Sequence, residues 1–144
     1  MHDLWRGPLA ALKANPRHPA YRQFYRNHLD VLSMVQAALL EQEDAVRTAE
    51  TCRDLGWDPS ADAYAAACGL SLCVPIVAKH DKLDAGQRKE AARFYSDAAM
   101  KLLRDAVSKG YQDVPHIKKD TDLDPLRQRE DFQKLVAELE GKAK

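Results

Sequence analysis

The sequence predicts an all-α fold of antiparallel helical hairpins, and three observations carry that prediction. Apolar residues recur at three- and four-residue steps over several long stretches, cap and turn residues fall between those stretches, and no segment alternates apolar with polar residues as a half-buried strand would. The clearest helix runs from Arg88 to Gly110. Its Phe94, Tyr95, Ala98, Ala99, Leu102, Leu103, Ala106 and Val107 share one face, while Arg93, Asp97, Lys101, Arg104, Asp105 and Ser108 cover the other. A stripe that wide must be covered by neighbours, which makes this stretch the expected centre of the fold.

Taken in order, residues 1–17 read as an irregular lead-in, interrupted by Gly7, Pro8 and Pro16. His18-Pro19 opens the first long helix, because proline suits a first helical position where a missing N–H costs little. Tyr21, Phe24, Tyr25, Leu29, Leu32, Val35, Ala38 and Leu39 mark its apolar positions as far as about Gln42. A second helix, Asp44 to Leu55, has a small inner face of Ala45, Ala49 and Cys52, which lets another helix approach closely. Gly56 ends it. Asp58-Pro59-Ser60 starts a third helix that runs to about Lys79 and carries Pro75, whose clash four residues back predicts a kink near Ser71. Asp84 and Gln87 have capping-box spacing for the fourth helix, which Lys109 and Gly110 stop. Residues 111–127 form a turn-rich connection, with Asp124-Pro125 expected to cap a turn. Phe132, Leu135, Val136 and Leu139 then stripe a last helix.

At 144 residues and 45% hydrophobic content the chain has the size and core of one domain, spanning 1–144. Twenty-two basic and twenty-two acidic residues cancel, which removes the broad attraction a nucleic-acid or anionic-membrane binder would show. Apolar runs such as Leu70 to Val77 fall short of the roughly 20 residues of a membrane span. Three cysteines and a start without a leader pattern point to reduced thiols in a cytoplasm.

The hairpins repeat weakly. Leu29-x2-Leu32-Ser33-x2-Gln36 followed by Ala45-x3-Ala49-x2-Cys52 has the residue sizes and offsets of a tetratricopeptide (TPR) unit. Tyr64-x2-Ala67-Cys68-x2-Ser71 and Ala99-x3-Leu103-x2-Ala106 echo its two helices, with about a dozen residues added to the usual period of about 34. The stretch DAYAAACGLSLCVPIVAKH and the run AVSKGYQD to DTDLDPLRQREDFQKL closely resemble the C-terminal TPR-like region of many planctomycete proteins, often found behind a serine/threonine protein kinase domain. YRQFYRNHLDVL resembles the start of that region, so the resemblance spans Asn15 to Glu140. It implies a TPR-like right-handed α-α superhelix with elongated helices and a short-helix C-terminal tail. It also implies a scaffold module whose partner is a polypeptide or another domain of a parent chain, with a homodimer as a further option. Kinase chemistry is not implied: Asp131-Phe132-Gln133 lacks the glycine of the metal-binding motif, and no phosphate loop or catalytic loop is present.

For a site, the first helix of a TPR array lines the concave surface, which here puts Arg22, Arg26, Asn27 and Asp30 forward as peptide-binding residues. Residues 1–30 hold five basic and two acidic side chains, which suits an acidic or carboxylate-bearing peptide. Asp120, Asp122 and Asp124 share the first spacings of an EF-hand loop. Pro125 stands where that loop needs glycine, however, and Asp131 where it needs glutamate, so they read as helix caps. Cys52, Cys68 and Cys73 lack zinc-ligand spacing and read as small core residues. The expectation is no metal, no cofactor and no catalysis. The rival reading is an enzyme using His80 or His116 with a nearby carboxylate.

Overall fold

A computed structural model describes residues 10–143. Its bounded helices are α1 (Pro19–Ala38), α2 (Gln42–Arg53), α3 (Pro59–Ala78), α4 (Ala85–Ser108), α5 (Val114–Lys119) and α6 (Glu130–Ala143), with a 3-10 turn at Thr121–Leu126. No strand occurs among the described residues, so the chain is all-α. Of the lead-in expected over 1–17, residues 1–9 lie outside the described residues, and residues 10–14 are helical with Leu12 buried.

Local chemistry sets the boundaries. Pro19 occupies the first turn of α1, and the Ala20 N–H donates to His18 Nδ1 at 3.2 Å. Asp58 caps α3 ahead of Pro59. Asp84 and Gln87 make the reciprocal pair that opens α4, at 2.8 and 3.0 Å. At the end of α4, Gly110 has φ 108°, its N–H bonds to the Val107 carbonyl and the Tyr111 N–H reaches back to Ala106. The same closing pattern ends α1 on a leucine: Leu40 has φ 61°, with its N–H on Ala37 and the Glu41 N–H on Gln36. No glycine marks this turn, so the sequence places the end near Gln42, whereas α1 stops at Ala38 and α2 starts two residues before Asp44.

The centre of the fold is α3 rather than α4. It packs against α1, α2, α4 and the 3-10 turn, and it buries side chains all round its circumference. A helix walled in by others needs no polar face. That is also why α3, contrary to the sequence expectation, is long and apolar enough by composition to cross a membrane: its apolar surface is taken up by neighbouring helices. The helix runs on through Pro75 to Ala78.

Packing follows the small residues. Ala45, Ala49 and Cys52 of α2 are buried, and Ser33 of α1 donates to the Ala45 carbonyl at 3.1 Å, a contact only slender side chains allow. The face of α4 is turned slightly from the expected one. Ser96 and Met100 join Tyr95, Ala99, Leu102, Leu103 and Ala106 inside, while Phe94 is 37% exposed. In the tail, Val114, Ile117, Leu123 and Leu126 are buried, and Phe132, Leu135 and Leu139 seat α6. Asp120 caps the 3-10 turn by accepting from the Asp122 N–H at 3.0 Å, whereas Asp124, the expected cap, pairs with Arg127 at 2.7 Å.

Candidate functional site

Arg22, Arg26, Asn27 and Asp30 sit on α1, and the polar groups of the first three already have partners within the fold. Arg26 Nε and Nη2 donate to Asp62 Oδ1 at 2.9 and 2.7 Å, and the backbone N–H groups of Trp57 and Asp58 donate to Asp62 Oδ2 at 3.0 and 3.1 Å. Asp62 is fully buried, so this is a satisfied internal ion pair. Arg22 donates to the Pro16 carbonyl at 2.8 Å and stands over the Trp57 ring, 5.1 Å from its centroid. Asn27 accepts from Gln23 at 3.0 Å. Asp30 lies on Gly69 of α3, where an added Cβ would meet its Oδ1 at 2.5 Å. The two arginines are therefore committed to Asp62 and to Trp57, the second of which also stacks obliquely on Tyr25 at 5.8 Å.

The two histidines of the rival reading separate. His80 follows α3 and works as a clasp: the Lys82 N–H donates to its Nδ1 at 3.2 Å, which leaves Nε2 to donate to the Ala38 carbonyl at 2.8 Å. His116 lies beside Tyr64 in the first half of α3, with Nε2 3.2 Å from Asp120 Oδ2. Asp120 is a hub. Besides His116 and the Asp122 N–H, it receives the Tyr64 hydroxyl at 2.7 Å and the Cys68 thiol at 3.6 Å, and Tyr64 itself stacks flat on Tyr111 with ring centroids 4.1 Å apart. Helical spacing of four joins His116 to Asp120 and Tyr64 to Cys68, but nothing along the chain joins the two pairs. They meet because the 3-10 turn lies across α3.

Electrostatics at this junction run one way. Burial pushes Asp30 well above the ordinary carboxylate range, and the like charge of Asp122 adds to it. Asp122 is raised by burial and then by Asp120, with His116 opposing. Burial, followed by Asp120, Asp30 and Asp122, holds the Cys68 thiol protonated. Burial likewise raises Cys52, and it pushes Cys73 to about 12, so none of the three thiols is a ready nucleophile.

No family model, curated protein or solved structure matches this chain.

The feature that sequence reasoning missed is the outer face of α1. Its exposed residues are Pro19, Ala20, Gln23, Phe24, Asn27, Val31 and Ala38, without a charge among them. Phe24 and Val31 are 56% and 54% exposed, and Leu39 and Leu40 continue the apolar surface at 60% and 42%. Beyond them a cavity of about 290 Å³ opens between the end of α1 and the start of α4, lined by Ala37, Leu40, Val77, Leu83, Phe94 and Tyr95 among others. The signal was present in the sequence: Phe24, Val31 and Ala38 recur every seven residues. Phe24 and Ala38 fall in the apolar stripe the sequence shows and Val31 falls outside it, because an apolar residue carries no mark of which neighbour covers it.

Proposed function

We propose that the chain is a non-catalytic helical interaction module, TPR-like in arrangement, that associates with a second copy of itself through the outer face of α1. α1 packs on α2 and on α3, α2 on α3, and α3 on α4. That adjacency, next neighbour plus the first helix of the following hairpin, supports a TPR-like stack of elongated hairpins. The 3-10 turn covers the Tyr64 and Cys68 side of α3, so the module does not rely on an open groove there for a peptide. Charge balance argues against nucleic acid or membrane as the partner, and three buried free cysteines suit a cytoplasmic protein.

The observation that carries the reading is the uncharged α1 face. Outer helices of arrays need a polar surface to stay dispersed, and on α1 only Gln23 and Asn27, bonded to each other, interrupt the exposed apolar residues. A face without charge meets its own copy without like-charge repulsion, and a two-fold contact uses the same patch twice. Antiparallel pairing about Val31 sets bulky Phe24 of one copy opposite small Ala38 of the other, seven residues to either side. In a parent chain with a kinase domain, such pairing would hold two kinase domains together.

Sedimentation equilibrium tests this directly. The expected result is a concentration-dependent dimer that Val31→Glu dissociates while the circular dichroism spectrum is unchanged. A chain that stays monomeric, leaving the face for another domain of a parent chain, or a dimer indifferent to Val31→Glu, overturns the proposal.

A further inference from the structure

One cavity is not used by the contact proposed for α1, and four helices build it. It is the hollow of about 290 Å³ between the end of α1, the first residue of α2, the last turn of α3 and the first half of α4. Ala37, Val77 and Tyr95 are buried and form its inner wall, whereas Leu40 and Phe94 are partly exposed at its mouth. Two bonds hold that mouth in place. His80 Nε2 donates to the Ala38 carbonyl at 2.8 Å, and Arg88 Nε donates to the His80 carbonyl at 2.7 Å. The space is nearly double the roughly 150 Å³ that accepts benzene, so it has room for two fused rings.

The independent observation is the Tyr95 hydroxyl. It is buried and, among the described residues, has no hydrogen-bond partner. Burial, and then the nearby Cys73, raise its pKa, so the oxygen keeps its proton and is a donor without an acceptor. Cys73 stands one turn before Val77 in α3, and its own thiol is turned to the Gly69 carbonyl at 3.3 Å. Leaving a buried donor unpaired is costly. Tyr95 bears that cost in the wall of a hollow, where a bound molecule can supply the missing acceptor.

We propose that this hollow binds a small uncharged aromatic molecule of bicyclic size, whose carbonyl oxygen accepts a hydrogen bond from Tyr95. The apolar walls supply the affinity, and the hydroxyl decides which end of the guest enters first. Phe94 offers an exposed ring at the mouth on which the guest can stack. Among the described lining residues only Glu90 is charged, and it repels a carboxylate or a phosphate. A cation would lose its hydration inside without finding a counter-charge there. Gln42 and Gln87, beside Glu90, complete a mouth suited to a neutral guest. The competing occupant is the Phe24 side chain of a second copy. It carries no acceptor and would leave Tyr95 unpaired. The site lies beyond the Phe24 to Val31 stripe, so it does not rest on the self-association proposed above.

The test is titration of the isotope-labelled full chain with coumarin, a neutral bicycle that bears a carbonyl, and with naphthalene, which has none. Backbone amide shifts give the readout. Saturable shifts at Ala37, Val77, Ala91 and Tyr95, with coumarin the tighter guest, are the expected result. Tyr95→Phe keeps the ring, weakens coumarin about tenfold and leaves naphthalene unchanged. Ala91→Leu fills the space and abolishes both. Val31→Glu, which breaks the α1 contact, binds coumarin as the wild type does, so either reading can fail without the other. Circular dichroism checks each variant's fold, and should Ala91→Leu fail to fold, Tyr95→Phe carries the test. No saturable shift at those amides, or equal coumarin affinity in the wild type and Tyr95→Phe, overturns the proposal. So does binding seen only in Val31→Glu, which would make the second copy's side chain the occupant.

Discussion

At the level of single residues, the fold depends most on charges the sequence could not pair. Arg26 was legible as a cation on a helix face, but its partner lies thirty-six residues away and only the docking of α1 on α3 joins them. Removing the guanidinium leaves the Asp62 carboxyl group buried without its cation. Arg26→Ala is therefore expected to cost about 3 to 5 kcal/mol in urea unfolding, where a surface arginine kept for a peptide would cost almost nothing. Asp131 offers a pH counterpart. Its hydrogen bonds from Arg129, and then the nearby charges of Arg129 and Arg104, hold its pKa below the ordinary value. A depressed carboxylate stabilises the fold above its unfolded pKa of about 3.9 and loses that contribution as pH falls through the lower folded value. Asp131→Asn is accordingly expected to melt below the wild type at neutral pH and to converge with it in strong acid. The gap should shrink with added salt, because both partners are partly exposed.

At the level of elements, the helices were readable wherever a boundary has its own chemistry. The Asp84–Gln87 box, Pro19, Pro59 and Gly110 all stand where the pattern puts them. The misses have two causes. Leu40 adopts a left-handed turn that a sequence advertises only through glycine, and the cap of the 3-10 turn falls to Asp120 because Arg127 engages Asp124. Gly69 is the reverse case, a glycine in mid-helix with no turn to make. Its role is to admit the Asp30 carboxylate, and a double-mutant cycle reads this out. Gly69→Ala is expected to lose stability beside Asp30, but to gain about 0.8 to 1.0 kcal/mol, the ordinary helical preference for alanine, when Asp30 is also alanine. Equal effects in both backgrounds would mean that the carboxylate moves aside at no cost.

For the molecule as a whole, the all-α class was plain from periodicity, while the identity of the central helix was not. α4 shows a clean stripe and so attracts notice. α3 is apolar in every direction, and periodicity carries no information about a helix that has no outside. The candidate junction was equally hidden, since Asp30, Cys68 and Asp122 become neighbours only after α1, α3 and the tail have packed. Amide hydrogen exchange should show the ranking directly, with the α3 amides from Ala63 to Cys73 the slowest and those of residues 10–14 the fastest. Comparable rates for α3 and α6 would contradict it. One practical consequence concerns anyone wishing to borrow part of this chain. Since the same rod is the inner wall of both hairpins, cutting between them strips each piece of its lining, and the smallest transplantable unit is nearly the entire bundle.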